Sequence, residues 1–215
     1  MFKGKFFVWL ALIILAVVPL FSGLYWQGIL VLVCYYAYAA IAWNFICGYA
    51  GTMSLGHSVY MGIGGYISTI ILETKGVSPW IGMIVGAAVA MCLGVIISYP
   101  TFRLQGPYFT LSSIAIVELL GTFISNTESL GPVPIKGGSG WSLSQTGNQA
   151  VMFEFSSKLS YFYIAFALMV IGLFVTYRMS ESKLGYYLVA IRSDDDAAKS
   201  LGINVTKYKL IAMAI

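Results

Sequence analysis

The chain has 215 residues, of which 59% are hydrophobic and only 9% are charged, with a mean hydropathy of +0.86 and a net charge of +4. Soluble domains carry roughly a quarter charged residues, so this chain has too much apolar surface for a single water-soluble core. The figures exclude an ordinary soluble domain and indicate a polytopic membrane protein that is partly solvated by lipid.

Apolar runs of about 20 residues predict helices that cross the hydrocarbon layer. The sequence therefore predicts an all-α bundle of transmembrane helices with about six to seven spans. The predicted spans cover residues 6–25, 29–47, 58–72, 80–99, 108–125 and 161–177, and a seventh begins near Tyr208. The third run is short and could gain length from the glycine-rich segment before it.

The distribution of lysine and arginine predicts a cytoplasmic N-terminus. With that orientation the inner side carries nine basic residues and the outer side three, in line with the positive-inside rule. The inner residues are Lys3, Lys5, Arg103, Arg178, Lys183, Arg192, Lys199, Lys207 and Lys209, and the outer ones are Lys75, Lys136 and Lys158. This asymmetry accounts for the positive charge and gives no support to nucleic-acid binding. A cleaved signal sequence over the first run is an alternative that leaves the later spans unchanged.

The chain divides into a transmembrane domain, a polar segment and the start of a further helix. The transmembrane domain covers residues 1–177 and includes an outer loop at 126–160, where Gly131, Pro132 and Pro134 favour turns. A cytoplasmic segment follows at 178–207, and residues 208–215 begin another span. Three cysteines without paired spacing are expected to be small buried apolar residues: Cys34, Cys47 and Cys92.

The cytoplasmic segment contains AIRSDDDAAKSLGINV, which begins at Ala190 and has the signals of a short capped helix. Ser193 is the predicted N-cap, and Asp196 three residues later would complete a capping box. The three aspartates at 194–196 fill the first turn, where carboxylates meet the positive end of the helix dipole. Gly202 is placed to end the helix in a left-handed conformation. The expected helix has about two turns, too few for stability in isolation.

Two interpretations of this short helix are open. It could lie on its own membrane domain as an amphipathic loop helix. Alternatively, a waist of small residues at Ala197 and Ala198, with apolar knobs at Leu201 and Ile203, could enter a groove on a cytoplasmic partner. The residues expected to carry such docking are Arg192, Ser193, Asp194, Asp195, Asp196, Ala197, Ala198, Leu201 and Gly202.

The stretch GYAGTMSLGHSVYMGIGGY, residues 48–66, combines six glycines with the only histidine of the chain. Small residues allow membrane helices to approach closely, and irregular backbone at membrane depth is tolerated only inside protein or beside water. The segment is therefore expected at an internal helix contact or along an aqueous path. The candidate residues are Asn44, Gly48, Gly51, Ser54, His57, Ser58, Gly62, Gly65 and, in the fifth span, Glu118.

Two of these candidates are ionisable, and each has two interpretations. His57 either hydrogen-bonds a neighbouring backbone carbonyl and fixes the helix break, or faces the path and contacts substrate. Glu118 is the one carboxylate placed inside a predicted span, where it could pair with a cation or line the path. No cluster of histidine, cysteine and carboxylates accompanies His57, so no metal site is expected.

Three motifs resemble those of one transporter family. KLGYYLVAIRSDDDAAKSLGINVTKYKL is similar to the cytoplasmic coupling loop of ATP-binding-cassette (ABC) importer permeases, in the variant of branched-chain amino acid permeases. The glycine-rich stretch resembles that family's pattern GY-G-x-x-SLGH-x-x-F-x-G-x-GAY, and RLQGPYFTLSSIAIVEL resembles its stretch between the fourth and fifth spans. Together they resemble the LivM-like rather than the LivH-like subunit. Tyr60, Gly65 and Pro107 depart from the pattern, and relatives continue beyond Ile215.

The resemblance implies a permease subunit of an importer for branched-chain or related amino acids in the bacterial inner membrane. Its expected partners are the lipid bilayer, ABC ATPase subunits that push on residues 194–201, a sister LivH-like permease, a periplasmic or lipid-anchored binding protein and a small-molecule substrate. The chain has no G-x-x-x-x-G-K-[ST] loop, so it is not expected to be an enzyme or to hold a cofactor, and ATP and Mg²⁺ would bind the partners. Alternatives are the same scaffold importing urea, amides or nucleosides, or an ATP-independent secondary transporter or channel.

Overall fold

The computed structural model describes residues 2–104, 106–131, 133–142 and 150–215, and most of them are helical. The expectation of an all-α membrane protein is confirmed. Part of the predicted outer loop, including Pro132, lies outside the described residues. The helices are α1 (Phe2–Val17), α2 (Leu24–Asn44), α3 (His57–Lys75), α4 (Pro79–Thr101), α5 (Pro107–Asn126), α6 (Lys158–Ser180), α7 (Lys183–Ser193), α8 (Asp195–Ser200) and α9 (Val205–Ala214).

The first predicted span, residues 6–25, is not one helix. It ends at Val17, and a 3₁₀ turn follows over Val18–Leu20 because Pro19 lacks the N–H that a continuing helix would need. The buried amide of Gln27 donates to the carbonyls of Pro19 and Ser22 at 3.2 and 3.1 Å, which satisfies two groups freed by the turn. Residues 24 and 25 belong to α2.

Four helical segments of the described chain are long and apolar enough to cross a membrane: Leu24–Tyr49, Pro79–Thr101, Pro107–Asn126 and Lys158–Ser180. Helix α3 has 19 residues but carries polar side chains along its length, and the first apolar helix is short. Between 11% and 22% of each spanning segment is buried inside the chain. Most of their apolar surface is therefore left for lipid or for other subunits.

One compact unit consists of the residues up to Ala42 and of Phe155–Arg178. Its core is Cys34 and Phe162, both fully buried, together with Met169. Gly172 of α6 faces the ring of Tyr38 on α2, where an added Cβ would lie 3.3 Å from the ring. Of the three cysteines, only Cys34 is buried within the chain. The prediction of burial does not hold for the half-buried Cys47 or the exposed Cys92.

The second compact unit contains Trp43–Glu154 and Met179–Ile215. Its closest helix contact joins α3 to α4 through small residues. A Cβ on Gly82 would lie 2.6 Å from Ser68 Oγ, and a Cβ on Gly86 would lie 2.5 Å from the carbonyl oxygen of Gly64. Two small-x-x-x-small pairs therefore face each other, the pattern that membrane helices use for close approach. The small residues that were candidates for a helix contact lie elsewhere: Ser58, Gly62 and Gly65 are exposed within the chain, and Ser54 is not helical.

The described part of the outer loop is ordered by short local contacts. Strands Ser129–Leu130 and Val133–Pro134 form a two-stranded antiparallel hairpin. The ammonium of Lys136 lies 4.2 Å from the ring centroid of Trp141, whose indole N–H donates to the Ile135 carbonyl at 3.1 Å. Trp80, at the start of α4, donates to the carbonyl of Ala150 at 2.9 Å.

Candidate coupling site

The glycine-rich segment breaks the helical backbone between α2 and α3. Helix α2 passes into a π-helical turn at Phe45–Tyr49, and residues 51–56 have no regular structure. Gly51 adopts a φ of +67°, which is unfavourable for other residues. The irregular backbone therefore falls within the glycine-rich stretch of residues 48–66.

Side chains from neighbouring helices satisfy the irregular backbone of residues 51–56. The Trp43 indole donates to the Ser54 carbonyl at 2.6 Å, and the Thr110 hydroxyl donates to the Met53 carbonyl at 2.9 Å. The Leu55 N–H donates to the Ser113 hydroxyl at 3.0 Å. Because each bond joins the segment to α2 or α5, side chains of the same chain hold the irregular backbone, which non-helical backbone in a membrane protein needs.

His57 begins α3 and lies edge-on to Tyr60, with ring centroids 6.1 Å apart. Its Nδ1 is buried, and among the described residues it has no hydrogen-bond partner. A bond from Nδ1 to a neighbouring carbonyl, one form of the structural interpretation, is therefore not seen in the described residues. The side chain of Glu118 is exposed on α5. Both residues stay candidates for the path or for contacts with other subunits.

Helix α7 follows α6 and begins the segment that was predicted to be cytoplasmic, and no helix was specifically predicted there. Ser182 caps its first turn by accepting from the Gly185 N–H at 3.4 Å. Gly185 packs closely on the end of α6, where a Cβ would lie 3.0 Å from the Cα of Ser180. The available signal was Ser182, a good N-cap residue, followed by an apolar run.

Helix α8 is capped by Asp194 rather than by the predicted Ser193. Asp194 Oδ1 accepts from the backbone N–H groups of Asp196 and Ala197 at 2.8 and 2.9 Å. These bonds, first that from Ala197 and then that from Asp196, lower the pKa of the Asp194 carboxyl below its ordinary value. Ser193 is the last residue of α7, and its hydroxyl donates to the Val189 carbonyl at 3.1 Å. Ser193 is unavailable as a cap because it continues the preceding helix.

The far end of α8 closes as predicted at Gly202, which has a φ of +82°. The N–H of Gly202 donates to the Lys199 carbonyl at 2.9 Å, and the N–H of Ile203 donates to the Ala198 carbonyl at 3.1 Å. This pair of bonds is a Schellman motif and satisfies carbonyls that the helix end would otherwise expose. Lys199 also pairs with Asp196 at 2.8 Å across one turn, and this hydrogen bond raises the pKa of the lysine.

The face of α8 that was expected to enter a partner is partly turned inward. Ala198 is 2% exposed and packs in a small core with Ile191 and Val205, and Ile203 packs against the same core. The predictions that Ala198 forms a partner-facing waist and that Ile203 is an outward knob are therefore wrong. Leu201 does point outward, with 80% of its surface exposed. Short helices need such tertiary burial, and here their own chain supplies it.

Lys209 is a site residue that sequence reasoning missed. Its ammonium lies 2.9 Å from Asp195 Oδ2, and the two side chains are 10% and 33% exposed. The pair joins α8 to α9, 14 residues along the chain. The available signal was a lysine within the apolar run of α9. Because this lysine lies near a predicted membrane boundary, its position indicated only a basic residue on the inner side of the membrane.

Arg192, at the end of α7, connects this helix to the region of the helix break. Its guanidinium Nη1 donates to the carbonyl oxygen of Gly48 at 2.7 Å, across 144 residues of sequence. Its aliphatic stem lies on Gly51, where a Cβ would stand 2.8 Å from Arg192 Cγ. The Asn44 amide covers Gly48 from the other side and would overlap any side chain there. Asn44, Gly48 and Gly51 were predicted for the path and Arg192 for coupling, and the structure brings all four together.

A cleft of about 730 Å³ opens beside this junction. On one side it is lined by the broken segment and by the start of α5, including Thr52, Gly106 and Thr110. On the other it is lined by the end of α7, the start of α8 and Lys209. The end of α7 and the start of α8 thus face the broken segment across an open cleft, and Arg192 bridges them at one side of it.

The apolar spanning helices, interrupted after α2 by a braced break, define the chain as a multi-pass membrane protein. The family model described as branched-chain amino acid transport system / permease component matches residues 25–215, and the chain belongs to this family. The resemblance of its three motifs is thereby confirmed. The match covers every residue of the candidate coupling site.

Two relatives carry the same description. The chain is 26% identical over 231 residues to the high-affinity branched-chain amino acid transport system permease protein LivM of Salmonella typhimurium, and 26% identical over 232 residues to LivM of Escherichia coli. Each match covers 99% of this chain and 54% of the relative. The chain therefore spans about half the length of the curated relatives it matches. No solved structure matches it.

Proposed function

We propose that this chain is a permease subunit of an ABC importer that moves branched-chain or related amino acids across the bacterial inner membrane. Separate ATPase subunits supply the energy and hold the ATP and Mg²⁺. The observation that carries the proposal is Leu201, a large apolar side chain that is 80% exposed at the end of a helix capped at both ends. A large apolar side chain exposed on a charged segment gains free energy when a partner protein removes it from water.

A push on α8 reaches the membrane helices through identified contacts. Ala198 seats α8 on the core of α7 and α9, and the Lys209–Asp195 pair fixes its first turn to α9. Helix α9 in turn packs along α4. Because caps hold both ends of α8, it moves as a unit rather than unwinding under load. Displacement of α9 and α4 would then change access to the path.

Other surfaces are assigned to the remaining partners. The outer loop at 126–160 receives a periplasmic or lipid-anchored binding protein that delivers the substrate. The exposed small residues Ser58, Gly62 and Gly65 of α3 suit close contact with a sister permease helix, since no side chain of the described chain covers them. This arrangement places the N-terminus and α8 in the cytoplasm, as the distribution of basic residues favours.

Co-purification with the ATPase subunits tests the docking role of Leu201. Leu201→Arg should abolish retention of the ATPase, because a cation would replace the apolar anchor. Tyr186→Arg is the matched control, since Tyr186 is 68% exposed on α7 and receives the same charge. Equal retention by wild type and Leu201→Arg would remove α8 from the interface. Ala198→Arg is unsuitable because it would disrupt the core beneath the helix.

Uptake measurements test the substrate class. Unlabelled isoleucine and valine should compete with labelled leucine in vesicles that hold the assembled transporter, whereas urea and nucleosides should not. Uptake by an ABC importer should require ATP on the side of the vesicle membrane that corresponds to the cytoplasm. Uptake by an ion-coupled transporter should not require ATP. Uptake driven by an ion gradient without ATP would contradict the proposal.

A further inference from the structure

The helical segment that precedes the backbone break has its C-terminal end beside the Arg192 guanidinium. The segment Leu24–Tyr49 is a continuous run of helix whose last turn is π-helical. Carbonyls in the last turn of a helix have no partner within the helix and carry the negative end of its dipole. Arg192 Nη1 donates to one of them, the Gly48 carbonyl, at 2.7 Å. The guanidinium thus supplies both the missing donor and the favourable charge.

The surroundings of this bond are shaped to hold it. Gly51, at a φ of +67°, brings the chain back under the Arg192 stem, and a Cβ there would stand 2.8, 3.1 and 3.2 Å from three Arg192 carbons. The Asn44 side chain occupies the space over Gly48. The glycines at 48 and 51 are therefore required by contact with neighbouring side chains, in addition to any flexibility they give.

The bond is also placed where it can break. Arg192 is exposed and lines the open cleft, so water can replace the Gly48 carbonyl as its partner at modest cost. Leu188 and Ile191, one turn or less before it on α7, are buried and hold the helix itself in place. A rigid helix therefore carries a single releasable polar contact to the break.

We propose that Arg192 is a positioning residue that links movement of the cytoplasmic helices to the conformation of the break after α2. The contact with Gly48 and Gly51 acts as a clasp that holds the break in one state and releases or shifts when α7 and α8 move. This inference rests on the proposed function and adds a defined route from the ATPase-driven segment to residues 45–51.

The reactivity of Cys47 reports the conformation of the helix end that Arg192 contacts. It lies within the π-helical turn and is half-buried, whereas Cys34 and Cys92 lie elsewhere. In a variant with Cys34→Ala and Cys92→Ala, the alkylation rate of Cys47 by a small maleimide reports the local conformation. The rate is measured in the assembled transporter, without nucleotide and after trapping with ATP and vanadate.

The variants are Arg192→Met, Arg192→Lys and, from the other side of the contact, Gly51→Ala. Arg178→Met is the matched control, since it removes an arginine from the same predicted membrane face, and Arg178 has no ion pair among the described residues. Arg192→Met and Gly51→Ala should reduce the nucleotide-dependent change in the rate by about threefold to tenfold, as expected for loss of one partly solvated charge-assisted hydrogen bond. Arg192→Lys keeps the charge and should give an intermediate value. ATPase association and hydrolysis are measured on the same preparation of each variant.

The outcomes separate this inference from the proposed function. A nucleotide response in Arg192→Met equal to that of wild type, with the ATPase bound, would overturn the clasp and leave the importer assignment intact. Failure of Arg192→Met to bind the ATPase would place Arg192 in docking or folding and would also overturn it. Absence of ATPase from the wild-type preparation would overturn the proposed function itself.

Discussion

The Lys209–Asp195 pair offers the sharpest energetic test, because its two members differ in burial. The lysine side chain is 10% exposed and the aspartate 33%. Asp195→Asn would leave a buried ammonium without its counter-ion. Lys209→Met would remove the buried charge and leave a carboxylate that water can reach. The two single variants should therefore differ in cost although they break the same pair.

The expected size follows from the geometry. At the observed 2.9 Å, the direct attraction is about 1.4 kcal/mol in water and about 6 kcal/mol at an effective dielectric constant of about 20. Desolvation of the lysine offsets much of this. Asp195→Asn should destabilise the docking of α8 on α9 by about 2–3 kcal/mol, less than for a fully buried pair, and Lys209→Met by less than about 1 kcal/mol.

Limited proteolysis of membrane vesicles with an exposed cytoplasmic face measures this docking. Cleavage after Lys199 requires α8 to open, and its rate tracks the population of the open state. Asp195→Asn should accelerate that cleavage by about 30-fold to 150-fold, and Lys209→Met by less than about fivefold. The double variant should resemble Lys209→Met. Equal rates in the two single variants, or no acceleration by Asp195→Asn, would refute the asymmetry and the anchoring role of the pair.

Three further predictions concern the break, the helix contact and the cap. Gly48→Ala should reduce transport because its methyl group overlaps the Asn44 amide, and Asn44→Ala should restore uptake in the double variant. Gly86→Leu should lower the thermal midpoint of the purified transporter by disrupting α3 against α4, whereas Gly65→Leu should leave the intrinsic packing of this unit intact. Because the pKa of Asp194 is lowered on folding, its stabilisation of α8 is fully present above the ordinary value of 3.8 and is lost as the pH falls through the lower folded value. Pepsin cleavage within α8 should rise over that acid range in wild type and should be raised at all pH values in Asp194→Ala.

The sequence by itself determined the features that depend on composition and on neighbouring residues. An apolar excess requires lipid, so the membrane class was evident from counting. Gly202 was placed correctly at a left-handed backbone conformation because few other residues tolerate one. The acidic first turn of α8 was also predictable, since the helix dipole acts over one turn.

Choices between neighbouring candidates needed the tertiary structure. Ser193 and Asp194 are both good caps, and Asp194 serves because α7 extends through Ser193. Ala198 was expected to face a partner, but α7 and α9 fold over it and leave Leu201 outside. Several small-residue pairs could have packed, and the orientation of α4 selected those at Gly64 and Ser68.

The long-range contacts were decided only by the tertiary structure. Lys209 pairs with Asp195 across 14 residues, and Arg192 binds Gly48 across 144. A single sequence records the residue types but not which distant partner each one meets, because that depends on how the intervening helices pack. Residue chemistry therefore determined the membrane environment and the position of the backbone break. Helix packing decided that Arg192 is the cation that contacts the end of the helix there.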